Sequence, residues 1–381
     1  MTLWVGVMSG TSLDGIDVAL VEIEGTGERP DRWRLVEFAT SAYAAETRAQ
    51  IRNAIESGSA AALCALDFEL GHQIGQAVLD VLDSAGVSAG EVAAVGSHGQ
   101  TVWHIPPAGE EAGATLQIGQ ASVIAEVAGC DVVSDFRTRD MAAGGHGAPL
   151  TAHTDWLLFQ GEEARLVQNI GGIANVTALP GSADTSDTTP QSFDTGPGVA
   201  LLDGAVETLT GGRLRYDDGG KIAAAGAVSR PALDYWLDDP YFALPPPKTT
   251  GRERFSGDRL RDWLTRFAGL TTEDLVATLT ELTARTIAES YRWIPFEAST
   301  CYLCGGGANN PALAGRLAAL APQTEFRRLS ALGADGDSRE AVAFALLARQ
   351  HVLGYPGNAS WATGASGARQ LGSLTRADGL R

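Results

Sequence analysis

A strand, a glycine turn and a second strand occur twice in this chain, half its length apart, and no other feature restricts its fold as much. In the first copy apolar Leu3 to Val7 lead to Ser9-Gly10-Thr11-Ser12, and Ile16-Asp17-Val18-Ala19-Leu20-Val21 then follow. In the second, Leu166-Val167-Gln168-Asn169-Ile170 precede Gly171-Gly172, and Ile173 to Leu179 complete the pair. Extended apolar runs on either side of residues that tolerate tight turns read as hairpins. Phosphate loops of the Walker and dinucleotide kinds instead run from a strand into a helix, with a Gly-Lys-Ser/Thr or Gly-x-Gly-x-x-Gly signature. Neither signature is present. The repeat therefore predicts two related lobes facing each other across a cleft.

Length agrees, since 381 residues exceed what one hydrophobic core usually organises. Residues 1–155 plus 350–381 are expected to form the first lobe and 156–349 the second. Helical periodicity over 62–84, 275–293, 312–320 and 340–350, interleaved with short apolar strands such as 92–96 and 300–304, indicates an α/β fold. Asn310-Pro311 has the form of a helix cap and first residue. Residues 181–192 have the composition of an exposed loop. The formal charge of −18 argues against nucleic acid or an anionic membrane as partner. No apolar run is long enough to span a membrane, and the N-terminus reads directly into a strand without a basic leader, so a cytoplasmic protein is expected. Cys301 and Cys304, three apart in a strand, point to opposite faces and cannot share a metal. The histidines show no metal-ligand spacing. Only two basic residues, Lys221 and Lys248, are lysines.

Several polar segments suggest chemistry. In Gly10-Thr11-Ser12-Leu13-Asp14-Gly15, glycines let N–H groups converge on an anion while the hydroxyls add donors. Asp14 is a candidate for holding Mg²⁺ through water. Gly171-Gly172 is a second such turn, and Gly305-Gly306-Gly307 ahead of a helix suits the approach of a nucleoside. Asp194, in Phe193-Asp194-Thr195-Gly196, admits three readings. It is half of an aspartic-protease pair, which needs a partner triplet this chain lacks; it caps an Asx-turn; or it is a general base. His98 and His104 flank Trp103 in a donor-rich segment, and Arg137 and Arg139 offer two forks for a carboxylate. Each of these also has a plain reading, as core histidines and surface ion pairs.

Together the runs GVMSGTSLDGID, SHGQTVWH, LQIG, DFRTRD, AGGHGAPL, NIGGIANV, FDTGPG, PPPKTTGRERF and CGGGANNP resemble the anhydro-N-acetylmuramic acid kinase family, in the family's order and over nearly the whole chain. The resemblance implies a two-lobed actin/hexokinase-like (ribonuclease H-like) fold with its active site in the interlobe cleft, using ATP and Mg²⁺. It implies that Gly10, Thr11, Ser12, Leu13, Asp14, Gly15, Ile16 and Asp17 form the first phosphate loop and Gly171 and Gly172 the second. Gly305, Gly306, Gly307 and Asn310 would lie on the nucleoside side. Asp194 matches the family's catalytic aspartate and Glu340 a further catalytic position, while His98, Arg137 and Arg139 fall in segments expected near the sugar. The implied reaction opens a 1,6-anhydro ring with water and phosphorylates O6, within peptidoglycan recycling and amino-sugar degradation. A homodimer is a further expectation. Val199 and His146 depart from the family's usual residues, Asn after DTGPG and Gln in AGGQGAPL, and both fall near the expected substrate contacts. Other readings are a kinase for a simpler anhydro sugar, against which the two arginines argue, and an actin-like ATP-dependent scaffold.

Overall fold

Where strand pairing is read in chain order, the same path is drawn twice. The computed structural model describes residues 1–10, 13, 15–107, 111–182, 188–251, 254–255, 257–334 and 336–377. These divide into one unit of 1–158 with 338–381 and another of 159–337. In the first unit, β1 (Thr2–Ser9), β2 (Gly15–Glu24) and β3 (Arg32–Ala42) form an antiparallel meander. The strands β4 (Val92–Ile105) and β6 (Val132–Ser134) then add in parallel on the far side of β1, while β5 (Ala114–Ile118) folds back on β4. A C-terminal strand, Ser373–Thr375, closes the edge beside β6.

In the second unit, β7 (Arg165–Ile170), β8 (Ile173–Leu179) and β9 (Gln191–Pro197) repeat the meander. The strands β10 (Thr300–Cys304) and β11 (Glu325–Arg328) add in parallel beyond β7. The first sheet thus runs β3-β2-β1-β4-β6, with β5 off this path, and the second β9-β8-β7-β10-β11, each with the glycine turn between its first two strands. The residues read as a loop at 191 and 192 belong instead to β9, and Ser192 is buried there. The carboxylates and glycines around them mask a short strand.

Each unit fills its own core. In the first, Leu70, Ile74, Val78 and Leu82 of the helix Ala60–Ala85 cover one face of the sheet. The helix Arg339–Leu353 covers the other with Val342, Phe344, Ala345 and Leu346. Sequence reading put most of this last helix in the second lobe, but it packs on β1, β2 and β4. Glycines make that approach possible: a Cβ on Gly6 would lie 1.8 Å from the Ala341 carbonyl oxygen, and one on Gly96 2.1 Å from that of Phe344. In the second unit the helix Thr272–Ser290 is buried along most of its length, and Trp236 stacks on Trp263 beside it. Cys301 and Cys304 are buried free thiols that pack in the sheet. Among the described residues no helix is long and apolar enough to cross a membrane, and no group of three metal-ligating side chains occurs.

Candidate active site

In the second unit, Asp194 owes its position to a β-bulge. Asn175 pairs with Asp194 and Ala174 with Gly196, so Thr195 is the extra residue. Its hydroxyl donates to the Ala174 carbonyl at 3.1 Å, and Gly196 takes φ +142°. A bulge re-aims the side chain beside it, and Asp194 emerges half-buried between the core residues Phe193 and Thr195. Three contacts then fix it. Its N–H donates to the Lys248 carbonyl at 3.1 Å, its carbonyl accepts from the Tyr241 hydroxyl at 2.7 Å, and its Oδ2 accepts from the Thr250 N–H at 2.8 Å. Burial, and after it the Asp194 charge, raises the Tyr241 phenol above its ordinary value, so it stays protonated as a donor.

The strand that carries Asp194 continues into Pro197-Gly198, where the second glycine turn is held. Gly172 O accepts from Gly198 N at 3.0 Å and from Ala200 N at 3.2 Å, and Gly171 O accepts from Val199 N at 2.8 Å. A Cβ on Gly198 would lie 2.0 Å from Gly171 O, which explains the glycine after the proline. Asp194 and the Gly171-Gly172 turn are therefore adjacent parts of one construction.

Further along this unit, Gly305 takes φ +79° and packs against Ile170, while Gly306 faces open space. Beside that turn lies a cavity of about 400 Å³ lined by Leu202, Asp203, Tyr216, Gly306, Gly307 and Asn310. Asn310 is at its wall, yet its Oδ1 caps the helix Pro311–Leu320 by accepting from Ala312 N and Leu313 N. Val199 lines the same cavity, and a Cβ on Gly307 would meet its Cγ1 at 2.8 Å. Val199 thus lies against the turn at 305–307.

In the first unit, Gly10 and Gly15 bound the turn after β1. Gly10 O accepts from Leu13 N and from Gln100 Nε2, both at 3.3 Å. Leu13 takes φ +59° and, like Ile16, turns its side chain into the core, which leaves only their backbones for a ligand. Thr11, Ser12 and Asp14 lie outside the described residues. Asp17 Oδ1 accepts from Thr40 Oγ1 at 2.6 Å. Glu340 stands in the first turn of Arg339–Leu353, an end anchored by a buried ion pair between Arg339 and Asp155. Its tip keeps solvent access, but the dense protein around it raises its carboxyl; Arg339 and Arg137 oppose this and Asp17 adds to it. Glu340 therefore feels the charges of both Asp17 and Arg137.

Arg137 and His98 are coupled. Arg137 Nε donates to His98 Nε2 at 3.0 Å and Nη1 to Gly147 O at 2.6 Å. His98 Nε2 must then be an acceptor, which leaves the proton on Nδ1, 2.7 Å from Gly99 O. Burial, with Arg137 adding to it, lowers His98 to about 3. It is a buried neutral histidine with both nitrogens engaged within the protein. Burial also lowers Arg137 to about 10, and it remains a cation. Arg139 is exposed, with no hydrogen bond or ion pair among the described residues. Neither arginine forms the surface ion pair its sequence allowed.

Sequence reasoning missed Asp140. Its Oδ1 accepts from Asn358 and Thr363, both at 2.7 Å, and its Oδ2 from Gly147 N at 2.8 Å. It ties the glycine-rich stretch holding His146 to the chain's C-terminal segment. His98 itself lines a cavity of about 340 Å³, together with Ser97, Gln117, Gly119, Asp135 and Thr138.

An antiparallel meander extended by two parallel strands and built twice, each copy opening on a glycine-turned hairpin and one carrying a positioned carboxylate, defines the actin/hexokinase-like class of α/β fold. Comparison with known proteins narrows this. The family model for anhydro-N-acetylmuramic acid kinase matches residues 2–377, and the chain belongs to that family. The anhydro-N-acetylmuramic acid kinase of Gloeobacter violaceus is 43% identical over 98% of this chain and 98% of its own. That of Acaryochloris marina is 44% identical over 97% and 98%. A solved structure, component A of the (R)-2-hydroxyglutaryl-CoA dehydratase of Acidaminococcus fermentans, is similar over 92% of this chain and 98% of that one, with 14% identity and a TM-score of 0.44.

Proposed function

We propose that this chain uses ATP and water to convert 1,6-anhydro-N-acetylmuramic acid into N-acetylmuramic acid 6-phosphate, with Asp194 as the base. The observation that carries the mechanism is the fixing of Asp194. A carboxylate that accepts a backbone N–H at one oxygen is held ionised and oriented, the state a general base needs. The anhydro ring has no free 6-hydroxyl, so O6 must first be released. Asp194 takes a proton from water as that water attacks C1. The C1–O6 bond breaks, and the water oxygen becomes the new C1 hydroxyl. The electron pair leaves on O6, which attacks the γ-phosphorus of ATP in line and displaces ADP. The proton held by Asp194 returns to solvent.

The Gly171-Gly172 turn, whose carbonyls are already engaged by residues 198–200, suits phosphate oxygens with its remaining N–H groups. The cavity beside Gly306 suits the nucleoside, with Tyr216 exposed at its rim. Arg137 supplies a cation suited to the acidic lactyl group of the sugar, and the cavity beside His98 has the size of a small-ligand site. Asp17, whose charge acts on Glu340, and Glu340 are the carboxylates that would hold Mg²⁺ retaining most of its own water. When bound, the ion would neutralise phosphate charge.

The test supplies protein, Mg-ATP and the anhydro sugar in ¹⁸O-water. The expected product carries phosphate on O6 and label at C1, whereas label on phosphate alone would mean idle ATP hydrolysis. Asp194→Asn should lose at least about a hundredfold in kcat, the usual scale for a general base, while nucleotide binding by calorimetry persists. Undiminished turnover would remove Asp194 from the role.

A further inference from the structure

Beside Asp194 lies a cation that the reaction as written does not use. Lys248 is 7% exposed, an unusual state for a lysine. Its Nζ lies 3.4 Å from the Tyr241 carbonyl oxygen and 4.7 Å from the centre of the Tyr241 ring. Among the described residues the ammonium forms no ion pair within 4.0 Å. A buried ammonium with one long hydrogen bond and a ring face is poorly compensated. Its surroundings show why it is tolerated.

Tyr241 and Lys248 both hold Asp194 through the backbone. The Tyr241 hydroxyl donates to Asp194 O, and Lys248 O accepts from Asp194 N. Two residues beyond Lys248, Thr250 N–H donates to the carboxylate. One short segment thus carries both the donor to the base and a cation close to it. Among the described residues, two charges act on Lys248. Asp194 attracts it, and Arg292, which donates to Phe242 O at 3.0 Å, repels it. Arg254 lies over the same Tyr241 ring at 5.5 Å, but Asp239 neutralises it at 2.5 Å and also binds Arg259. Among the described residues, Asp194 is the carboxylate whose charge attracts Lys248.

We propose that Lys248 is a positioning residue for the reaction: its carbonyl holds the Asp194 N–H, and its ammonium, seated on Tyr241, favours the ionised Asp194 carboxylate. This rests on Asp194 being the base. Burial, with Arg292 adding to it and Asp194 opposing, lowers Lys248 to about 8. It is therefore charged throughout the acid range in which Asp194 would gain its proton. A cation that favours the carboxylate form moves that protonation to lower pH.

The test is the pH profile of kcat/KM. Lys248→Met should move the acid limb up by about half to one pH unit, the size of a partly screened charge effect. On that limb kcat/KM then falls about three- to tenfold below wild type. Lys248→Arg, which keeps the charge, should leave the limb within about 0.2 unit of wild type. A Lys248→Met limb that coincides with wild type, with any loss uniform across pH, would reduce Lys248 to packing. Lys248→Gln stands in with the same two outcomes where the Met variant does not fold. Asp194→Asn, run alongside, separates the failures. An active Asp194→Asn enzyme removes the base itself, whereas an inactive one with an unmoved Lys248→Met limb removes only the lysine's role.

Discussion

His98 shows how one side chain's contacts fix its chemistry. Its Nε2 accepts from Arg137 and its Nδ1 donates to Gly99, so a second ring proton would point at a guanidinium. The folded value of about 3 lies below the ordinary histidine value of about 6.5. A depressed folded value means that protonation favours the unfolded chain. The stability concerned is fully present above about pH 6.5 and is lost as pH falls toward 3. His153, lowered to about 4 chiefly by burial, acts in the same direction. A thermal-melt series from pH 7 to 4 should fall on the acid side. His98→Gln, whose amide oxygen can still accept from Arg137, should flatten that slope by up to about 1.4 kcal/mol per pH unit. An identical slope in the variant would mean that His98 is not the titrating group. The polarity of this segment was legible in SHGQTVWH, but the tautomer was not, because Arg137 is far away in sequence. Asp194 was legible for its neighbours' letters, and Lys248 only for being one of two lysines. The hydrogen bonds joining 194 to 241, 248 and 250 arise from a fold-back that no local pattern announces.

At the scale of elements, glycines did more than mark turns. The hairpins were readable because strand periodicity and turn residues are local signals. The two short strands β5 and β11 were not, since four or five residues carry little pattern and their pairing comes from distant partners. The helix Arg339–Leu353 was readable as a helix but not as a member of the first unit. Its contact surface, Gly6 on β1 and Gly96 on β4, lies far back in the sequence. That surface predicts a large effect from a small change. In Gly96→Ala the new methyl would meet the helix backbone at 2.1 Å, and overpacking of this kind costs about 1–3 kcal/mol. Chemical denaturation should register that loss. Turnover should fall too, because Arg339 and Glu340 occupy the first turn of the displaced helix. Gly90→Ala, with nothing within 4 Å of its Cβ, should change stability by less than about 0.5 kcal/mol. Equal effects at the two sites would mean that close packing is not what Gly96 provides.

For the whole molecule, the two units differ in how the chain builds them. The second is one continuous stretch, 159–337. Both of its apolar clusters draw only on residues within that stretch, from Leu166 to Leu317, and so do all five strands of its sheet. The first unit is interrupted. Its sheet and one of its cores need the returning helix Arg339–Leu353 and the C-terminal strand. Without them the faces at Gly6 and Gly96, cut to fit a helix, are uncovered, along with Trp4, Met8 and Val133 around them. A domain that lacks one covering layer loses much of the apolar burial that offsets its chain entropy. The fragment 159–337, expressed alone, should therefore melt cooperatively, while 1–158 alone should show no cooperative transition and should bind a hydrophobic dye. Joining 1–158 to 338–381 through a short glycine-serine linker should restore the transition, because the linker returns only the missing layer. A cooperative melt of 1–158 by itself would contradict this, as would a linked chain that stays molten. The first would show that the helix decorates a finished core, and the second that the first unit needs more than the segments identified as its own.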